Sequence, residues 1–308
     1  MSLFRSSFIA LSHNRSLRRF CENSSLGVKL SSRFIAGMKI ADAIRVAENV
    51  NRQGISVTID SLGESVTSET EAHHAAEIYH QLLDLIAARK LKANISVKLT
   101  QMGLEVSPQL AESIALSLTQ HANSAGSFVR IDMEHSSLTQ LTLDIVRRVH
   151  ARPDLRDSIG VVIQAYLYRS QADVEQLLAD GIRVRLCKGA YKEPPEVAFP
   201  RKPDVDKNFV KLSNLLLDSP LHHALATHDD AMIQAAKSYA RQNKIDPSRF
   251  EFQMLYGIKR DLQRALIREG YNVRVYVPFG TDWYPYFMRR LAERPANVLF
   301  LARNFFQS

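Results

Sequence analysis

Gly160-Val161-Val162-Ile163-Gln164-Ala165-Tyr166, then Ser170–Ala179, then Ile182-Arg183-Val184-Arg185-Leu186-Cys187 follow one another and decide the reading of the fold. The outer two are short runs rich in Val and Ile, as strands are, and the middle segment is long enough for a helix. Strand, helix and strand in that order imply parallel strands joined by a right-handed crossover. Working outward, the same unit recurs. Candidate strands fall at residues 55–60, 94–99, 128–133, 160–166, 182–187, 222–227, 250–255 and 273–277. Helical patterns fall at 69–89, 107–123, 137–150, 170–179, 206–217, 229–242, 260–268 and 282–293. In the first of these, Ala75, Tyr79, Leu82, Leu83 and Ile86 keep the spacing of one buried helix face. Several open on Ser or Asp, residues suited to capping the free amides of a first turn. Eight units of roughly 30 residues suit a barrel of ~250 residues. An open doubly wound sheet is the alternative, but no Gly-x-Gly-x-x-Gly follows the first strand and no Walker motif occurs. The expectation is an α/β fold: a (βα)8 barrel over residues 55–308, preceded by an N-terminal helical arm over 1–54.

Composition narrows the function classes. With 45% hydrophobic and 23% charged residues in a chain of 308, a sizeable core is expected and disorder is not. No run of about 18 apolar residues marks a membrane span. The net charge of +8 is uneven: residues 1–40 carry Arg5, Arg15, Arg18, Arg19, Lys29, Arg33 and Lys39 against Glu22. Such a segment suits contact with an acidic surface, or a targeting peptide. Phe8-Ile9-Ala10-Leu11 is too short for the apolar core of a secretory signal. The segment is instead expected to be an integral arm running into the helical pattern at 38–46, with an Arg- and Ser-rich presequence as the alternative. Cys21 and Cys187 are far apart and no zinc-type spacing accompanies them, so neither a disulfide framework nor a metal is indicated, and a reducing compartment is expected.

Barrel chemistry collects at the C-terminal ends of the strands, and these ends are unusually polar. They carry Lys98, Asp132, Gln164, Arg185, Lys188, Thr227, His228, Gln253 and Tyr276. Any one has an ordinary explanation as a paired side chain, a turn acceptor or a cap. Together they need a ligand, one another or water, because a buried polar group without a partner costs roughly 1–3 kcal/mol. A cationic set with Asp132 as its clearest anion suits a zwitterionic amino acid and a phosphate-bearing cofactor. Cys187 beside Lys188 invites a nucleophile reading, but the sequence offers it no general base.

Near the C-terminus, Trp283-Tyr284-Pro285-Tyr286-Phe287-Met288-Arg289-Arg290-Leu291-Ala292-Glu293 sets two adjacent arginines in an aromatic, otherwise apolar helix. Their side chains diverge by about 100°. The plain reading is a solvated face with an Arg289–Glu293 pair; the sharper one is a clamp for a small carboxylate.

At these residues the chain resembles the proline dehydrogenase family, from about residue 40 onward. The resemblance is carried by Ser96-Val97-Lys98-Leu99-Thr100-Gln101-Met102-Gly103-Leu104, Arg130-Ile131-Asp132-Met133-Glu134, Val161 through Leu167, Arg185-Leu186-Cys187-Lys188-Gly189-Ala190-Tyr191, Ala226-Thr227-His228-Asp229, Glu251 through Gly257, and Tyr284 through Pro295. The blocks in this order are specific, and the length is similar to single-function bacterial members. His135-Ser136 departs from the pattern, where a small residue is expected first.

The resemblance implies a distorted (βα)8 barrel that binds FAD and oxidises L-proline to 1-pyrroline-5-carboxylate by hydride transfer to the flavin N5. This is the first step of proline catabolism, with a membrane quinone as electron acceptor. It implies that Arg289, Arg290 and Lys98 hold the proline carboxylate, that Tyr191, Leu255, Tyr276 and Asp132 line the pocket, and that Asp132 and Arg185 are catalytic. Met133, Gln164, Arg185, Lys188, Gly189, Ala190, Thr227, His228 and Glu293 are implied at FAD, and Glu64 as a gate that pairs with Arg289. It also implies a cytoplasmic location, with the basic arm in peripheral contact with the inner face of the membrane. Two rival readings stay open: a related flavoenzyme acting on hydroxyproline or another cyclic amine, and a non-catalytic binding barrel. Nucleic-acid binding is not expected, since the basic arm lacks interleaved aromatics.

Overall fold

A computed structural model describes residues 31–63, 65–191 and 193–293, apart from the side chains of 289 and 291–293. Eight parallel strands close in sequence order into one barrel, β8 returning to β1. They are β1 (Ser56–Ser61), β2 (Ala93–Val97), β3 (Val129–Ile131), β4 (Ile159–Gln164), β5 (Arg183–Cys187), β6 (His223–Ala226), β7 (Phe250–Leu255) and β8 (Asn272–Phe279). Helix α1 (Ile40–Asn51) precedes the barrel. It is followed by α2 (Glu69–Ala88), α3 (Pro108–Ser124), α4 (Thr139–His150), α5 (Ser170–Ala179), α6 (Lys202–Asp218), α7 (Asp230–Gln242), α8 (Arg260–Arg268) and α9 (Trp283–Glu293). Among the described residues no helix is long and apolar enough to cross a membrane.

Local chemistry sets most boundaries. Ser68 accepts a bond from the Glu71 amide and Ser107 from the Leu110 amide, capping α2 and α3, and Asp229 caps α7 through the Ala231 amide. Strand β2 is shorter than its apolar run because the Lys98 carbonyl accepts the amides of Gln101 and Met102, which bends the chain out of the sheet. Helix α6 starts earlier than its periodicity, since Pro203 in the first turn needs no amide partner there. The turn at Ser136–Leu138 is a 3-10 turn, so α4 begins at Thr139.

The two faces of the strands differ sharply. Val57, Ile59, Ile95, Val97, Val129, Ile131, Val161, Ile163, Val184 and Leu186 face outward and pack with the inner faces of the helices into the main core. Most typical barrels also fill the lumen with branched apolar residues. Here the lumen is polar, and side chains from strands that are not neighbours meet there: Arg185 of β5 with Ser96 of β2, and Arg274 of β8 with Asn94 of β2. Burial of apolar area, at roughly 25 cal/mol per Å2, therefore acts mainly in the outer shell.

Helix α1 belongs to that shell, with Ala43, Ile44, Ala47 and Val50 buried in it. A second apolar cluster joins Phe34 and Ile35 to Trp283, Tyr284 and Phe287 of α9, with Phe287 edge-on to Trp283 at 5.6 Å. The segment before α1 is pressed against the end of β7, where a Cβ on Gly257 (φ +78°) would meet the Arg33 carbonyl oxygen at 1.8 Å.

Candidate active site

Lys98, Asp132, Arg185 and Tyr276, picked out one by one in the sequence, converge at the upper end of the lumen. Asp132 leaves the end of β3 and accepts a bond from Ser96 at 2.7 Å and from the Tyr276 hydroxyl at 2.9 Å. Arg185 pairs with the same carboxylate, and also donates to Ser96 at 2.7 Å and to Gln253 at 3.2 Å. Its guanidinium carbon lies 5.4 Å from the centre of the Tyr276 ring. Lys98 Nζ stands 3.6 Å from Asp132 Oδ2, too far for a hydrogen bond.

A second carboxylate corrects the expectation of Asp132 as the one clear anion. Asp60, the fifth residue of β1, is 1% exposed and places both oxygens 3.0 Å from Lys98 Nζ. Tyr79 of α2 donates to it at 3.2 Å. Two carboxylates and two cations thus balance in one buried cluster. Asp60, Tyr79 and Ser96 were missed as functional residues. In the sequence Asp60 is a strand-end acid before a turn, Tyr79 one member of an apolar helix face, and Ser96 an ordinary strand residue.

The surroundings drive the two carboxylates apart. Burial, with Asp132 nearby, outweighs Lys98 and lifts Asp60 above the usual carboxylate range. Burial also works against ionised Asp132, but Arg185, Lys98 and the bonds from Ser96 and Tyr276 bring it below that range. Burial opposes the Lys98 ammonium, yet Asp60 and Asp132 hold it above the ordinary lysine value. Tyr276 is lifted well above its usual value by burial and the two carboxylates, so its hydroxyl stays a donor. Burial pushes the Cys187 thiol up to about 11, which removes the thiolate that a nucleophile needs.

Residues expected at the cofactor surround the ends of β4, β5 and β6. Gln164 donates to the Glu134 carbonyl at 2.8 Å and accepts the Ala190 amide at 3.4 Å. Glu134 is itself fixed, accepting from the amide and hydroxyl of Thr100. Gly189 (φ +116°) lies so close to Tyr166 that a Cβ would come within 2.0 Å of the ring, so the backbone can take this turn only as glycine. Lys188 reaches Asp206 and Asp229, and His228 accepts the Leu255 amide at 2.8 Å. Thr227 accepts the Asp229 amide at 3.1 Å. Met133 is buried, and Tyr191 packs on His135 with ring centres 4.2 Å apart. Amide, ammonium, hydroxyl and backbone donors at adjoining strand ends suit a ligand with phosphates and a polar heteroaromatic ring.

Helix α9 presents Arg290, its guanidinium carbon 5.2 Å from the centre of the Tyr286 ring. Glu64 and the side chains of Arg289 and Glu293, expected as a gate, a carboxylate contact and a cofactor contact, lie outside the described residues. A cleft of about 840 Å3 opens beside the barrel mouth, between Met38, Leu62, Gln101 and Pro285. It reaches the cluster only indirectly: Gln101 Oε1 lies 3.3 Å from the Tyr79 hydroxyl, whose one proton is directed to Asp60.

Comparison with known proteins gives the family and the fold. The sequence pattern of the proline dehydrogenase family matches residues 43–303. Proline dehydrogenase 1 of Bacillus subtilis strain 168 is 42% identical over 302 residues, covering 98% of each chain. Proline dehydrogenase of Deinococcus radiodurans is 38% identical over 279 residues, 89% of each. Among solved structures, proline utilization A (PutA) from Bdellovibrio bacteriovorus, inactivated by N-propargylglycine, superposes with a TM-score of 0.81 at 27% identity. That match covers 94% of this chain, which spans 36% of the larger protein.

Proposed function

The chain belongs to the proline dehydrogenase family, and we propose that it oxidises L-proline to 1-pyrroline-5-carboxylate, with FAD as hydride acceptor and a membrane quinone as the eventual electron acceptor. The observation that carries this reading is the charge-balanced cluster of Asp60, Lys98, Asp132 and Arg185 at the barrel mouth. It can align a small zwitterion without adding a buried charge that lacks a partner.

In this reaction a C–H bond beside the ring nitrogen breaks with its electron pair leaving as hydride, the nitrogen loses a proton, and a C=N bond forms. FAD, when bound, supplies the acceptor for the hydride. Arg289, Arg290 and Lys98 grip the substrate carboxylate, and bidentate guanidinium contacts fix its orientation. Tyr276, Tyr191 and Leu255 form the apolar and aromatic wall around the ring. Asp132 stays ionised because its pKa is depressed, and Oδ2 keeps room for one more donor beside Tyr276. It therefore orients the amine rather than storing its proton. Arg185 is a fixed cation where negative charge builds up on reduction. Met133, Gln164, Lys188, Gly189, Ala190, Thr227, His228 and Glu293 hold FAD, and Glu64 closes the site by pairing with Arg289.

The purified protein is expected to be yellow, with a flavin spectrum that proline bleaches in the absence of oxygen. Protein that stays colourless after reconstitution with FAD would sink this reading, and bleaching by hydroxyproline but not proline would replace the substrate. Arg289→Met is expected to raise the KM for proline at least about tenfold with FAD retained; an unchanged KM would remove Arg289 from the carboxylate clamp.

A further inference from the structure

The charge balance of the cluster hides an asymmetry in how Lys98 is held. An ammonium has three protons to donate. Asp60 engages Nζ with both oxygens at 3.0 Å, whereas Asp132 stands off at 3.6 Å. Two protons are thus directed to a carboxylate at the floor of the site, and one remains. The Lys98 side chain is 19% exposed and that of Asp60 only 1%, so the ammonium is what a ligand meets.

Asp60 is itself fixed from behind. The Tyr79 hydroxyl, on a side chain with no exposure, lies 3.2 Å from Asp60 Oδ1. That hydroxyl is held in turn by the Ser61 amide, which donates to it at 3.2 Å. Helix α2 thereby sets the rotation of a carboxylate on β1, and that carboxylate sets the rotation of an ammonium at the end of β2.

We infer that Asp60 is a positioning residue of this site: it orients Lys98 so that a single ammonium proton is presented to the substrate carboxylate, with Tyr79 fixing Asp60 in place. The inference rests on the proposed proline chemistry for its substrate, but its geometry requires only a small ring carboxylate. Asp60, at 1% exposure behind Lys98, is shielded from a ligand in the lumen. Replacing it by Asn loosens the hold on Lys98, because an amide at this position can accept one of the two bonds and turns an N–H towards the ammonium.

The test uses the FAD-loaded enzyme carrying Asp60→Asn. KM for proline is expected to rise about tenfold or more, as for loss of a charge-assisted bond, with kcat within about threefold. The pH profile of kcat/KM is expected to gain a basic limb that the wild type lacks, since Lys98 then faces burial with one carboxylate fewer. A role confined to stability would produce no such limb. Binding of tetrahydrofuran-2-carboxylate, in which oxygen replaces the proline nitrogen, is measured by calorimetry and is expected to weaken by a similar factor. A wild type that binds this ligand but does not oxidise proline would overturn the proposed function while leaving the Asp60 comparison intact. If the Asn variant does not fold, Tyr79→Phe is read instead, with an expected rise in KM of about threefold at constant kcat. Folded Asp60→Asn, or failing that Tyr79→Phe, with KM, pH profile and ligand affinity superposable on the wild type overturns the inference.

Discussion

The lower and upper ends of the barrel lumen are built from the same residue types and do different things. At the lower end Arg274 donates to Glu251 at 2.8 and 3.0 Å, to Asn94 at 2.9 Å and to the Val57 carbonyl at 2.9 Å. Thr58 adds a bond to Asn94 at 2.7 Å, and Arg130 and Arg183 stack on Phe128 at 4.8 and 4.3 Å. Most of these groups bond protein to protein and turn inward on one another, although Arg183 Nε is buried without a hydrogen-bond partner. At the upper end Lys98 keeps a donor to spare and Asp132 an acceptor. Gln253 joins the two halves, donating to Glu251 at 2.6 Å and accepting from Arg185 at 3.2 Å. Charge in a lumen is therefore not a mark of a site; hydrogen-bonding capacity left where a ligand can reach it is, as at Lys98 and Asp132, whose side chains are 19% and 13% exposed.

The difference can be broken from either end. Glu251→Gln is expected to lower unfolding free energy by about 3–5 kcal/mol, because it leaves Arg274 buried without its carboxylate. Folded enzyme should keep kcat within about threefold, so chemical denaturation and kinetics on the same sample check it; lost kcat at full stability would refute the division. Arg185→Met is expected to show the opposite signature, a fall in kcat/KM of about 10²- to 10³-fold, with a smaller loss of stability. Parallel melting and rate measurements decide whether the two effects separate.

Acid separates the ends more gently. Glu251 is held well below the usual range, Arg274 and His222 overcoming the effect of burial, and Asp132 is also depressed. Each contributes stability that is complete above the unfolded carboxylate value of about 4 and is lost as pH falls through its folded value. Asp60 is raised, so its ionised form detracts from stability at neutral pH, and the deficit is relieved as pH falls through its folded value. Melting temperature against pH should therefore show a shallower acid limb in Glu251→Gln and a steeper one in Asp60→Asn. Identical limbs in both would mean that neither carboxylate is tuned as described.

Much of this was legible in the sequence, for reasons that particular residues make plain. The strands could be found because outward positions such as Val161, Ile163, Val184 and Leu186 must be apolar to meet helices. Lys98, Asp132 and Arg185 stood out because ionisable residues end β-branched runs. Glu251 and Arg274 did not, because alternation with apolar neighbours reads as one solvated face, whereas a closed barrel buries both. Asp60 was hidden by the same alternation and by the Ser61-Leu62-Gly63 turn after it. Its partners come from residues 79 and 98, and no local pattern announces a pairing at that separation. The arginine pair on α9 was conspicuous in sequence, while its geometry with Glu64 lies beyond the described residues.

The seam between β1 and β8 has a kinetic consequence. Arg274 reaches the Val57 carbonyl across 217 residues of chain, and the strands beside it pair from Ser56 with Arg274 to Ser61 with Phe279. Contacts so distant in sequence form slowly, since the intervening loop must be closed before they give any return. Until they form, Asp60 and Tyr276 stand on separate open edges. The outer shell can assemble piece by piece from local strand–helix units, but the site cannot. Binding competence should therefore arrive in one late step when the first strand meets the last, lagging behind the recovery of helix during refolding.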